Sequence, residues 1–400
     1  MLIGNLRICN FRSHRDTSIR LFPITVLVGH GSSGKSNLFD ALVNLSVVLR
    51  GRIGNAFSPY PWGTFASAKS WGTNPVAPIK FEVEVFPKKL SDPPFNYEFH
   101  YKQASGGDEP IFQITKEALR RGDSSLFDRE NPDECKIPGV DYIDDDRSIF
   151  AALRVAKTSE ADLGELARGI SRIGKYRLEP NLLSRPSNLP PPSTEAAPQT
   201  SNMWLDYRGE NLAAVLYQLE ETDKSKIASI TDAVKSVFPE FEGFSFNFIG
   251  EGKVGFSAKF SVHQEPVLAP LLSHGMLLFI GLMTLLHTPS SPDVILLEEP
   301  ENGLDAKALK AFYAKLVEII GDGTGGRQVL LSSHSPYVLC EAWNGPSRNF
   351  VYHITEANGR SNVSPVTAVM ATFGGTLQTD GTMSIRLAER IMSERWQAGE

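Results

Sequence analysis

The run Gly29-His30-Gly31-Ser32-Ser33-Gly34-Lys35-Ser36 constrains this chain more than any other segment, because of what flanks it. Before it stands the apolar run Ile24-Thr25-Val26-Leu27-Val28, which reads as a buried strand, and a helix-like stretch begins near Lys35. Strand, glycine-rich turn and helix in that order make a phosphate-binding loop. Gly29, Gly31 and Gly34 let the backbone curl, so that several N–H groups and a helix N-terminus aim at one set of phosphates. Lys35 adds a mobile cation, and Ser36 a hydroxyl suited to magnesium. A Gly/Ser-rich turn that merely contains Lys-Ser leaves the flanking strand and helix unexplained.

A second constellation follows the strand-like Val294-Ile295-Leu296-Leu297, which ends in Glu298-Glu299-Pro300 and continues as Glu301-Asn302-Gly303-Leu304-Asp305. A buried strand that delivers two carboxylates at its C-terminal end has the pattern of a Walker B segment, with Glu298 on the magnesium hydration shell and Glu299 on an attacking water. Adjacent strand residues face opposite sides, so the two carboxylates are expected to take different roles.

Upstream of that strand, Leu272-Ser273-His274-Gly275 introduces the helix-like apolar stretch Met276 to Leu286. Ser273 and Gly275 at a helix N-terminus present a hydroxyl, backbone N–H groups and the positive end of the macrodipole to an anion, although Ser in this position also serves as a simple N-cap. Finally, Gln328-Val329-Leu330-Leu331 leads into Ser332-Ser333-His334-Ser335-Pro336, another strand ending in polar residues before a helix. A lone His is usually structural, but His334 ends a strand expected in the same sheet, where it could sense a terminal phosphate.

On these motifs the chain resembles the SMC/RecF-like branch of the ATP-binding-cassette (ABC) ATPases, in particular its compact stand-alone bacterial AAA/ABC-type members. Leu6-Arg7 and Asn10-Phe11-Arg12-Ser13 are similar to that branch's first strand and Asn-Phe-Arg element, and the run from Gly29 through Asn37 to its Walker A. Leu272 to Met276 resembles the signature, Leu296 to Asp305 Walker B with the D-loop, and Leu330 to Pro336 the switch-histidine strand. Tyr176-Arg177-Leu178-Glu179-Pro180 and Gly209-Glu210-Asn211-Leu212 also match these compact ATPases. The resemblance implies an α/β P-loop NTPase of the ABC/SMC head type, with a mixed central sheet, an antiparallel β-subdomain and a helical insertion. It implies ATP and Mg2+ as cofactors, held by Gly29 to Asn37 with Arg12, and by Ser36 and Glu298 for the metal. Lys35, Glu299 and His334 are the implied catalytic set. A homodimer would sandwich ATP between the P-loop of one subunit and Ser273 and Gly275 of the other, with Asp305 at the interface. Four features depart from the pattern: His274 where an acidic residue or Gly is usual, Met276 where a polar residue is usual, Glu298 in place of Asp, and no Gln between Asn37 and Lys102. Gln103 and Gln113 are Q-loop candidates only by elimination.

Composition agrees with a globular protein: 41% of residues are apolar and 22% charged, enough for a substantial core. Met276 to Leu286 is too short to span a bilayer, and no basic-then-apolar leader opens the chain, so cytoplasmic residence is expected. Cys9, Cys135 and Cys340 lie far apart, which argues against disulfides and zinc. Net charge is −6, so no general electrostatic grip on nucleic acid is expected. The small basic groups Lys88-Lys89, Arg120-Arg121 and Lys175 with Arg177 read first as solvated surface, as does the acidic patch Asp144-Asp145-Asp146.

Three spans are expected: residues 1–120 with the P-loop and antiparallel β-subdomain, 121–240 as an irregular and helical insertion, and 241–400 with signature, Walker B, D-loop and switch His. Lys80 to Phe86 and Tyr97 to Tyr101 show period-two patterning, and strands are also expected near Gly243–Ile249 and Gly255–Val262. Pro59 to Pro78 reads as loop, Gly122 to Asp206 as polar and irregular, and residues 184–202 as a Pro/Ser-rich exposed loop. Leu212, Val215, Leu216 and Leu219, then Ile227, Ile230 and Val234, mark two helices too short for a long coiled coil. Met383 to Trp396 reads as an amphipathic helix. The functional expectation is an ATPase driving a DNA-associated process, in genome maintenance or anti-phage defence, with a separate effector protein. No acidic cluster of a fused Toprim nuclease follows His334. The alternatives are the ATP-driving subunit of an ABC transporter and a nucleotide-dependent scaffold without significant turnover.

Overall fold

The computed structural model describes residues 1–57, 64–74, 76–87, 89–104, 111–130, 145–155, 161–189, 203–250, 252–321, 323–345, 350–373 and 377–393. Expectations for Lys88, Cys135, Asp144 and the loop centre 190–202 lie outside them. The chain divides into two units: Met1–Ile173 with Asp322–Glu400, and Gly174–Gly321. This division differs from three consecutive spans because the last part of the chain returns to the unit that holds the N-terminus.

In the first unit, six of the described strands form an antiparallel sheet in the order His14–Arg20, Leu2–Phe11, Ile79–Phe86, Phe95–Ala104, Ile111–Arg121, Ser124–Asp128. Alternation drives it: Ile79, Phe81, Val83 and Val85 are buried on one strand, and Phe95, Tyr97, Phe99 and Tyr101 on its neighbour. The strand Ile111–Arg121 and the helices Ile149–Val155 and Ala161–Ile170 fall where no element was expected. The same unit carries the strands Arg360–Pro365, Val351–Ala357, Ile24–Val28 and Gln328–Ser333, side by side in that order. The last three run parallel and the first is antiparallel, so the arrangement is mixed. All five residues of Ile24–Val28 are buried, as a strand covered on both faces requires. The helix Lys35–Val48 follows it, and the helix Ile385–Ser393 lies within the expected C-terminal segment, whose last residues, 394–396, are outside the described set.

In the second unit, the strands Phe241–Phe248, Lys253–Phe260 and Val267–Leu268 pair in order, and Ser187–Asn188 adds to the second of them. The helices Leu212–Thr222 and Lys224–Val237 bury the expected stripes. Between them and the helix Ala306–Ile320 packs His274–His287, whose interior is apolar on all sides and buried from Met276 to Leu286. The strand Val294–Glu298 neighbours the segment Gly174 to Tyr176 of the strand Ile173–Tyr176. No helix among the described residues is long and apolar enough to cross a membrane.

Candidate functional site

The glycine-rich loop leaves the sheet at Val28, and two of its glycines are dictated by geometry. A Cβ on Gly29 would sit 2.2 Å from the Ile354 carbonyl oxygen, and one on Gly34, where φ is 102°, would sit 1.9 Å from Ser361 Oγ. Gly31 is different: an added Cβ meets nothing within 4 Å, so the crest of the loop is open among the described residues and no close approach requires a glycine there. Lys35 is only 6% exposed, and its ammonium donates to the carbonyls of Gly29 at 2.7 Å and His30 at 2.6 Å. The helix Lys35–Val48 begins with no side-chain cap and no acidic residue in its first turn, which leaves its positive end uncompensated. His30, Gly31, Ser32 and Ser36 are exposed, whereas Ser33 and Gly34 are buried.

A buried polar network supports this loop. His14 Nε2 lies 3.0 Å from the Gly34 carbonyl and Nδ1 3.0 Å from Thr17 Oγ1. The carbonyl only accepts, so Nε2 carries the proton and Nδ1 accepts from Thr17. Burial pushes the His14 pKa down to about 4, so the ring is neutral near pH 7. Ser361 Oγ lies 2.7 Å from both the Ser33 carbonyl and Ser13 Oγ, and Ser13 Oγ accepts from Asn37 Nδ2 at 2.8 Å. Arg12, in a left-handed conformation with φ 46°, places its guanidinium on Asp40 and on Asn37 Oδ1. The structure therefore sets Arg12 against the loop helix. His14, Ser361 and the buried His353, the register partner of Val28, are missed in the sequence because nothing local marks them. Ser333 is also a register partner of Val28, so the exposed His334 leaves the sheet at the same edge as the loop. Gln103 and Gln113 lie on adjacent antiparallel strands.

The carboxylates belong to the second unit. Glu298 ends its strand and is 5% exposed; its Oε1 lies 3.2 Å from Lys175 Nζ, and its Oε2 accepts from the Tyr207 hydroxyl at 3.3 Å. Burial first, and the Glu298 charge second, raise the Tyr207 pKa. Strict strand alternation stops here, because Glu299 turns into the left-handed region with φ 46° and starts a turn in which Asn302 N–H donates to its carbonyl at 3.1 Å. Glu299 Oε2 accepts from Arg177 Nη2 and from Asn302 Nδ2, both at 3.0 Å. Lys175, largely buried, departs from the expected solvated surface, whereas Arg177 is exposed as expected; the two supply the counter-charges of the carboxylates. Arg121 is likewise paired, with Asp162 at 3.1 Å, and Asp146 with Arg52 at 2.7 Å.

Ser273 caps the helix His274–His287 by accepting from Met276 N–H at 3.3 Å, and is exposed. A Cβ on Gly275 would lie 2.9 Å from the Gly303 carbonyl oxygen, so the start of this helix packs directly on the turn after Glu299. Asp305 caps Ala306–Ile320, accepting from Ala308 N–H at 2.7 Å. The first unit thus gathers Gly29 to Asn37, Arg12 and His334, and the second gathers Glu298, Glu299, Ser273, Gly275 and Asp305. A further cluster, Glu82, Glu98 and His100, lies on the antiparallel sheet, but Arg7 pairs with Glu82 at 3.0 Å and Lys116 with Glu98 at 2.9 Å, which makes it a charge ladder across strands.

The sequence matches the family described as "AAA domain, putative AbiEii toxin, Type IV TA system" over residues 24–340. Among solved structures, the chain is similar to an SMC head bound to the C-winged helix domain of ScpA, with 12% identity, 92% of this chain and 100% of that chain covered, and a TM-score of 0.56. It also matches the SMC head domain from Thermotoga maritima, with 15% identity, 91% and 99% coverage and a TM-score of 0.45. An SMC head with an extended coiled coil, bound to the C-terminal domain of ScpA derived from Pyrococcus furiosus, matches with 12% identity, 93% and 98% coverage and a TM-score of 0.48. The first likeness shows the fold of an SMC head, a P-loop NTPase. No curated protein matches the chain.

Proposed function

Because the chain belongs to the AbiEii-type AAA-domain family, we propose that it is a Mg2+-dependent ATPase whose subunits pair around ATP and separate after hydrolysis, driving a DNA-associated process in genome maintenance or anti-phage defence with a separate effector. The observation that carries this reading is the loop itself: a buried Lys35 ammonium ringed by the Gly29 and His30 carbonyls, at the uncapped start of a helix. That geometry fits a phosphate chain. The hard oxygen donors of Ser36 and Glu298 fit magnesium, and Glu298 Oε1 is buried without a hydrogen-bond partner, with the Lys175 ammonium 3.2 Å away.

Bound Mg·ATP would supply the electrophilic γ-phosphoryl group and neutralise its charge. Lys35 would exchange loop carbonyls for phosphate oxygens, and loop N–H groups would hold the rest. Glu299 would take the proton of the attacking water, and His334 would respond to the terminal phosphate. Ser273 and Gly275 would meet the phosphate held by a second copy, with Asp305 at that interface. Arg12 would act beside the nucleotide through Asn37 and the loop helix. That SMC heads are seen with ScpA supports a separate protein partner here. The test is ATP turnover by wild type and Glu299→Gln, with and without double-stranded DNA. DNA-stimulated turnover that collapses in Glu299→Gln, while nucleotide binding persists, is expected. Full turnover by Glu299→Gln removes Glu299 as the base, and indifference to DNA removes the DNA-associated process.

A further inference from the structure

Resting on the assignment of Glu299 as the base, we infer that Arg177 is a positioning residue for it, and that the segment Lys175–Arg177 is part of the hydrolytic apparatus. Two donors converge on one oxygen: Arg177 Nη2 and Asn302 Nδ2 each lie 3.0 Å from Glu299 Oε2. Asn302 comes from the turn that Glu299 itself begins. Arg177 comes from a different part of the chain, 122 residues away. A carboxylate gripped from two directions is restrained in rotation, and a general base acts efficiently only when aimed at its water. Glu299 needs such restraint, since it sits in a left-handed backbone conformation where the strand no longer fixes its side chain.

The cations are themselves held in place. Arg177 N–H donates to the Tyr207 carbonyl at 2.8 Å, and Glu179 N–H to the Arg208 carbonyl at 3.1 Å, so residues 177–179 are strapped to residues 207–208. Gly209, with φ 80°, lets that strap turn: a Cβ there would lie 2.3 Å from Leu183 Cδ2. Lys175 Nζ lies 5.9 Å from the centre of the Tyr207 ring and 3.2 Å from Glu298 Oε1. Lys175 and Arg177, two residues apart, thus meet the adjacent Glu298 and Glu299 one to one. The motif Tyr176 to Pro180 and residues 207–209, which lead into the motif Gly209 to Leu212, come together to build this support.

Arg177 is half-exposed, so its ion pair contributes little to folding, and its loss reads out on the chemistry. Arg177→Ala is expected to lower kcat by on the order of tenfold to a hundredfold with KM and nucleotide Kd unchanged, as for a misaimed base. Arg177→Lys should recover part of the loss. In the Glu299→Gln background, Arg177→Ala should lower the residual rate no further, because the two residues act as one unit. An equal fractional loss in both backgrounds, a rise in KM alone, or an unchanged kcat overturns the inference. Arg177→Gln, which is shorter and uncharged but keeps the aliphatic stem and a donor, serves the same comparison should the alanine variant fold poorly. Full turnover by Glu299→Gln has a different meaning, since it removes the base assignment on which this inference rests.

Discussion

At the scale of single residues, the loop is held by contacts whose removal has readable consequences. Lys35→Ala deletes the only Lys or Arg that the loop carries between Gly29 and Ser36, and loss of nucleotide binding by calorimetry is the expected outcome; wild-type affinity contradicts it. His14 gives a pH signature. Its folded-state pKa of about 4 lies below the ordinary 6.5, so between those values the unfolded chain binds a proton that the folded chain does not. Stability is therefore expected to be full above pH 6.5 and to fall as the pH drops towards 4, by at most about 3 kcal/mol from this residue. His353, held near 4 by its burial, adds with the same sign. Urea unfolding at pH 7 and pH 5 measures the slope, and His14→Gln should flatten it; an unchanged slope assigns the effect elsewhere.

At the scale of elements, the strand Ile111–Arg121 is tied to its surroundings by Glu117. Fully buried, it accepts from the Tyr97 hydroxyl at 2.6 Å, Ile149 N–H at 2.8 Å and Arg129 Nη2 at 2.8 Å, and burial raises its pKa despite these partners. Glu117→Leu removes the carboxylate that pairs with the mostly buried Arg129 and breaks the link to the helix Ile149–Val155. A loss of roughly 3–5 kcal/mol in urea unfolding is expected, and a wild-type midpoint is the contrary result. This strand was not legible in the sequence because its exposed and buried positions do not alternate cleanly, and its pairing shifts register on both sides. By contrast, the helices Leu212–Thr222 and Lys224–Val237 hold the apolar residues expected to mark them, because those stripes repeat at helical spacing and Asp223 caps the second. The helix His274–His287 is legible as a largely apolar run, Met276 to Leu286, behind a Ser cap.

At the scale of the whole molecule, the proposed cycle predicts a change of mass. Glu299→Gln with ATP and Mg2+ should double in mass by light scattering while Lys35→Ala stays at the nucleotide-free value; a Glu299→Gln protein that never dimerises contradicts the sandwich. The glycine spacing of the loop, the apolar strands beside it, the paired carboxylates and the helix stripes were all determined by the sequence itself, since each reflects neighbours within a few positions. Only the tertiary structure decided which charges meet. Lys175 and Arg177 are a small basic group in the sequence and become the partners of Glu298 and Glu299 once their strands lie side by side, and His14 becomes a brace for Gly34 once the first hairpin reaches the loop. The physical reason is that strand order arises from burying apolar faces far apart in the chain, and side-chain pairing follows from that order, leaving no local pattern to read.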